Sequence, residues 1–253
     1  MPGARRGRGG FRGRGGKRAG TRKKKRFDNV LYYGRQHPLV ECNWLIPFKI
    51  FKQHMPPLTN GRLRCVSIDP GYVNLAIRVE EITPEGIFPL VYEKFPLSKE
   101  IPCRLYEMRR HLDKHLDIFM TVHYVFVEKQ MNFNGQADRI GHDLISYFTG
   151  ILRNSTLFPR VLEVDAKLKT TILSKEKVPT DETKEWSKGV FREELIRRGD
   201  LVSLEIYDKE KKQDDLADVG TMAMAMYEVL GVSPENILTW KEYEFSGAIQ
   251  NRG

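Results

Sequence analysis

Cysteine is scarce in this chain: its 253 residues include only Cys42, Cys65 and Cys103. An odd count with no C-x-x-C pair argues against a disulfide framework and a zinc knuckle, and it suits a reducing compartment. Long apolar runs are missing too. Nothing reaches the length that spans a bilayer, and no apolar leader is present, so the expectation is a soluble intracellular protein with no membrane partner. Acidic residues are absent from positions 1–26, where twelve side chains are Lys or Arg. Setting those aside leaves 30 Lys+Arg against 33 Asp+Glu in the other 227 residues, a net of −3 in a chain whose total is +9. The basic surplus belongs to one segment, and any basic groove on the folded part needs local segregation of charge.

That segment, Gly3 to Arg26, is a low-complexity run of Arg and Gly that includes Phe11 and ends in Lys23-Lys24-Lys25-Arg26. Dense glycine and like charge bury too little surface to offset chain entropy, so disorder is expected over residues 1–26. Arg-Gly repeats with an aromatic suit loose contacts to phosphates and bases, and the final cluster also fits a nuclear-import signal. Residues 27–60 read as an aromatic-rich extension that closes at Met55-Pro56-Pro57.

Regular patterning begins at Leu63. Strands are expected at Arg64–Ile68, Tyr72–Val79 and Ile87–Phe95, separated by Asp69-Pro70-Gly71 and by Thr83-Pro84-Glu85-Gly86. A helix follows in which Ile101, Leu105, Met108, Leu112, Leu116 and Phe119 step by three and four. Then come a strand at Tyr124–Val127, a helix carrying Ile140, Leu144, Phe148 and Leu152, and a strand at Val161–Val164. A helical turn at Thr170–Leu173 and helices at Thr180–Arg198 and Asp214–Leu230 complete the order. This succession predicts an α/β fold, a mixed five-stranded sheet flanked by helices, over residues 61–235, with 236–253 as a C-terminal extension. His111 and His115 stand four apart on the first long helix. They could share a metal, but with no third ligand in view the plainer reading is exposed histidines flanking Asp113.

Four carboxylates fall where this order would bring chain ends together. Asp69 ends the first strand, Glu128 follows the apolar Val125-Phe126-Val127, and Asp215 and Asp218 share one face of the last helix. Each has an ordinary explanation. Acids favour a first helical turn, where Asp214 or Asp215 could serve as the N-cap, and Asp-x-Gly is common turn chemistry. Together they would repel one another unless a cation sat among them. A hard divalent ion is the natural partner of oxygen-only ligands, which points to magnesium rather than zinc.

Asp69-Pro70-Gly71-Tyr72-Val73-Asn74-Leu75-Ala76 resembles the first motif of RuvC-like Holliday junction resolvases, in the form used by the poxvirus-type and fungal mitochondrial branches. Val127-Glu128-Lys129-Gln130 resembles their second motif, and Lys212-Gln213-Asp214-Asp215-Leu216-Ala217-Asp218 the poxvirus-type closing motif. Lys169 falls where these enzymes keep a lysine near the scissile phosphate, with Lys167 as its rival. The resemblance spans roughly residues 63–231. It implies an RNase H-like fold and two-metal phosphodiester hydrolysis with Mg2+, for which Mn2+ would substitute. Asp69 would bridge the two ions, Glu128 would serve one, and Asp215 and Asp218 the other. Gly71 would allow close backbone approach, and Asn74 and Gln130 would orient ligands or contact DNA. A homodimer acting on four-way junction or other branched DNA would make paired symmetric nicks. A nucleus or a cytoplasmic viral factory fits ahead of a mitochondrion.

Three other readings compete. A sibling RNase H-like nuclease would cut RNA–DNA hybrids or flaps with the same carboxylates. A non-catalytic nucleic-acid-binding protein would rely on the Arg-Gly tail. An actin-like ATP-binding fold also opens with a strand ending in Asp-x-Gly, but it needs two such domains and a longer chain.

Overall fold

The computed structural model describes residues 30–33, 61–130, 135–155, 157, 159–235 and 237. The Arg-Gly run, most of the 27–60 extension and the segment after 237 lie outside them, together with the expectations made for those regions. The expected mixed sheet is present. Its strands are β2 (Leu63–Asp69), β3 (Asn74–Thr83), β4 (Gly86–Pro96), β5 (Tyr124–Lys129) and β6 (Arg160–Asp165). A short further strand, β1 (Val30–Tyr33), pairs antiparallel with β6 and extends the sheet at that edge. The order is β1-β6-β5-β2-β3-β4. β2, β5 and β6 run parallel, while β3 and β4 return antiparallel through tight connections.

Helices cover both faces, which is why the central strands are buried on either side rather than alternating. Helices α1 (Ile101–Leu112) and α3 (Gly135–Leu152) close one face over Val66, Ile68, Ile77 and Val127. A 3-10 turn at Asp113–His115 and the short α2 (Leu116–Phe119) continue α1, so the expected single helix is broken after Leu112. The other face receives α4 (Leu168–Leu173), α5 (Thr183–Arg198), α6 (Leu201–Lys209) and α7 (Asp214–Leu230). Helix α7 is buried along most of its length. A β-carbon built on Gly220 would fall 2.0 Å from the Phe191 ring of α5, so only glycine permits this helix contact.

Two departures from the sequence pattern have clear causes. β3 begins at Asn74 because Tyr72 and Val73 lie exposed in the loop, and it runs past Val79 through Glu80 and Glu81 to Thr83. Those acids resemble a strand end but are neutralised inside. Glu80 meets Arg78, Arg198 and the Tyr227 hydroxyl, and Glu81 meets Arg64. Helix α6 has no counterpart in the pattern because Leu201 and Val202 point to solvent and blur its apolar period. It is set by local chemistry instead. Gly199 ends α5 in the left-handed conformation, and the Asp200 side chain then accepts from the Ser203 amide as an N-cap.

Candidate active site

β2 and β5 are parallel neighbours with Ile68 opposite Val127, so the next residues, Asp69 and Glu128, stand side by side at one level. Ile68 and Val127 belong to the core under α1 and α3. Alternation therefore turns both acids toward the face that α7 covers. Helix α7 brings Asp218 and Asp215 to the same place, and α4, entered directly after β6, brings Lys169. The buried Lys169 Nζ donates to Glu128 Oε2 at 3.3 Å and to Asp218 Oδ1 at 2.5 Å. Gln130 Nε2 donates to Asp69 Oδ1 at 3.3 Å, and Ser187 Oγ of α5 donates to Asp218 Oδ1 at 3.0 Å. The structure thus gathers Asp69, Glu128, Asp215, Asp218 and Lys169. Lys167 is exposed at the start of α4, where its backbone amide donates to Asp165 and its carbonyl accepts from the Thr170 and Thr171 hydroxyls.

The electrostatics are those of crowded anions. Burial, then the negative charges of Glu128 and Asp218, push the Asp69 carboxyl well above the usual carboxylate range, against the pull of Lys169. Burial raises Glu128 too, with Lys169 opposing and Asp218 adding. Lys169 is held above the ordinary lysine range: burial acts to discharge it, and Glu128 and Asp218 prevail. Asp215 accepts from Lys212 Nζ at 3.3 Å through Oδ1, whereas its Oδ2 is buried with no hydrogen-bond partner among the described residues. The Lys94 ammonium stands 3.9 Å from Oδ2, beyond hydrogen-bond reach, and a buried carboxylate oxygen without a hydrogen bond is costly unless a cation comes closer to complete it. The donor set is oxygen throughout, and it carries more negative charge than Lys169 offsets. These residues fit a hard divalent cation of the magnesium class.

Several neighbours could not be anticipated. Asp214 is not a cap: Gln213 holds that position, and the Asp214 carboxylate pairs with Lys184 Nζ at 2.8 Å. Ser187 is a small polar residue in a largely charged helix, with nothing to single it out. Lys94 was findable only with the strand register in hand. Asp69 pairs with Ala76 and Ala76 with Lys94, so one row across three strands ends in a lysine that meets Glu210 at 2.9 Å and Asp215 at 3.9 Å. A β-carbon on Gly71 would lie 2.4 Å from the Asn74 carbonyl oxygen, so the loop between β2 and β3 closes only around glycine here.

The buried Asp69 charge makes a prediction about stability. A carboxyl whose folded pKa is raised stabilises the fold below the ordinary carboxylate range and loses that contribution as pH climbs through the folded value. In chelator at neutral pH, Asp69→Asn is therefore expected to melt a few degrees above the parent chain, with the gap closing on acidification. Magnesium should raise the parent's midpoint and leave the variant's nearly still. An Asp69→Asn chain that melts below the parent in chelator would contradict the electrostatic account.

No family model and no curated protein sequence matches the chain. Among solved structures, its fold is similar to that of the yeast mitochondrial Holliday junction resolvase, with a TM-score of 0.51 and 16% identity over 72% of this chain and 86% of that one. The fowlpox virus Holliday junction resolvase aligns with a TM-score of 0.48 and 19% identity, over 66% of this chain and 99% of that one. Thermus thermophilus RuvC aligns with a TM-score of 0.41 and 14% identity, over 67% of this chain and 98% of that one. At these identities the likeness is one of fold alone, the fold of the yeast mitochondrial resolvase.

Proposed function

We propose that this protein is a magnesium-dependent endonuclease that cuts four-way junctions and other branched DNA as a homodimer. The observation that carries the reading is the oxygen cluster at one end of β2 and β5, where Asp215 Oδ2 is buried without a hydrogen bond among the described residues. The fold shared with the yeast mitochondrial resolvase supports the choice of substrate. Asp69, Glu128, Asp215 and Asp218 would hold a magnesium pair, which when bound activates water and steadies the leaving oxygen of a phosphodiester. The chain's own residues divide the remaining work. Gln130 and Ser187 would keep Asp69 and Asp218 in ligand orientation through the hydrogen bonds described above. Lys169, a buried ammonium among the acids, would meet the charge that grows on the scissile phosphate. Two copies about a two-fold axis would present paired sites to a junction of the same symmetry and nick opposite strands.

The test is incubation of the purified chain with a labelled four-way junction, a linear duplex and an RNA–DNA hybrid, with and without magnesium. Paired junction nicks that need magnesium are expected. Cutting of the hybrid alone would assign the site to the sibling nuclease, and no cutting of any substrate would leave a binding protein.

In this reading residues 61–235 form the nuclease unit and residues 1–26 hold DNA. Each phosphate neutralised contributes a slope of about −0.9 to log K against log salt. Deleting residues 1–26 is expected to weaken junction binding and flatten that slope by several units, measured by fluorescence anisotropy between low and physiological salt. An unchanged slope would give the tail another role.

A further inference from the structure

On the opposite face of the sheet, Glu93 of the edge strand β4 meets two histidines. His111, near the end of α1, and His115, in the following 3-10 turn, each direct Nε2 to the same Glu93 Oε1 at 2.8 Å. The three ligand atoms lie within 4.8 Å of one another. We infer that Glu93, His111 and His115 form a second cation site, for a divalent transition metal of the zinc class. It differs in chemistry from the oxygen cluster: two imidazoles and one carboxylate suit zinc and disfavour magnesium.

The supporting features are geometric. Residues four apart on a helical path bring both rings to one side, and the strand supplies the third ligand from a fixed height. Zinc bonds of about 2.0–2.2 Å set tetrahedral ligands roughly 3.4 Å apart, so each 2.8 Å His–Glu93 pair needs to open by about half an ångström. The His111 ring is fixed by stacking on Phe95 at 3.6 Å between centroids, and His115 packs edge-on to Phe119. Burial acts to raise the Glu93 carboxyl, yet the two imidazole donors hold it below the usual range, ready as an anion. The side chains keep 21%, 21% and 32% exposure, which leaves a fourth position for solvent or a partner's ligand. Metal at His111 Nε2 requires the proton on Nδ1, which Lys114 Nζ now approaches at 3.5 Å. That lysine is at the limit of contact and exposed, so it can swing clear. Occupied, the site would tie the helix after Leu112 to the outermost strand.

The experiment uses the full chain in excess magnesium, so that hard-cation sites are filled. Cobalt(II), a coloured stand-in for zinc, is titrated by visible absorption and then displaced by zinc, with thermal unfolding run in parallel. One equivalent per chain is expected, with a zinc-dependent rise in melting temperature. His115→Gln and Glu93→Gln should each weaken binding at least about tenfold, while Asp218→Asn leaves it unchanged. Absence of binding in the parent chain, or equal affinity in parent-like folded Glu93→Gln, would reduce the trio to a hydrogen-bonded cluster. Loss in Asp218→Asn would move the metal to the oxygen site. None of these readouts depends on DNA cleavage, so the result stands apart from the proposed nuclease activity.

Discussion

Asp69→Asn is expected to abolish magnesium-dependent nicking of a four-way junction while junction binding, measured in chelator or calcium, persists. The change is nearly isosteric and removes one negative charge from a group that Glu128, Asp218 and Asp215 already repel. It therefore relieves the folded protein while depriving a cation of the ligand flanked by the other acids. A partner one step removed from a metal typically costs about 10–100-fold when lost, so loss of a direct ligand should exceed that range. Gln130→Ala supplies the comparison. It removes the 3.3 Å hydrogen bond to Asp69 Oδ1 without touching the carboxylate set, so it should stay near that milder range and respond to added magnesium. Binding and cleavage must separate in Asp69→Asn. Full nicking by the variant would exclude Asp69 as a ligand, and loss of binding together with cleavage would make its role structural.

The sequence announced this site unevenly, for physical reasons. Asp69 and Glu128 are each preceded by apolar β-branched or aromatic residues, and an acid after such a run stands out against the hydrophobic pattern. Asp215 and Asp218 were visible as a pair because helical spacing of three is local. The choice between Lys169 and Lys167 was not, because it depends on how α4 rotates as it leaves β6. Only the three-dimensional path turns Lys169 inward and leaves Lys167 in solvent. Ser187, Lys94 and Glu93 act through contacts between distant segments, and their own neighbours in the chain carry no trace of that. The five strands followed from short apolar runs bounded by turn chemistry. The buried charges in β3 did not, since hydrophobic patterning places Arg and Glu outside by default.

Those charges lead to the second large effect. Arg78→Met is expected to destabilise the fold by about 3–5 kcal/mol, the usual cost of stranding a buried charge, or roughly 6–20 °C in melting temperature for a chain of this size. The guanidinium is buried and fully committed: Nε to Glu80 at 2.8 Å, Nη1 to Ser203 Oγ at 3.0 Å, Nη2 to Asp200 Oδ2 at 3.0 Å. Its plane also lies over the Tyr92 ring at 4.6 Å. Methionine fills much of the volume but leaves Asp200 without a cation and Glu80 with Arg198 alone. The consequence reaches the carboxylate cluster. Asp200 caps α6, and α6 leads through residues 210–213 into the first two turns of α7, where Asp215 and Asp218 stand. The variant should therefore lose magnesium affinity along with stability. The deficit depends on pH in one direction. Although burial acts to raise Glu80, Arg78 and Arg198 hold it below the usual range, so its contribution is present above ordinary carboxylate pKa values and fades as pH falls through the folded one. The deficit of Arg78→Met should narrow on acidification, and adding Glu80→Gln should cost less in the variant than in the parent. Strict additivity in that double-variant cycle would show that Arg78 acts through packing on Tyr92 rather than through charge.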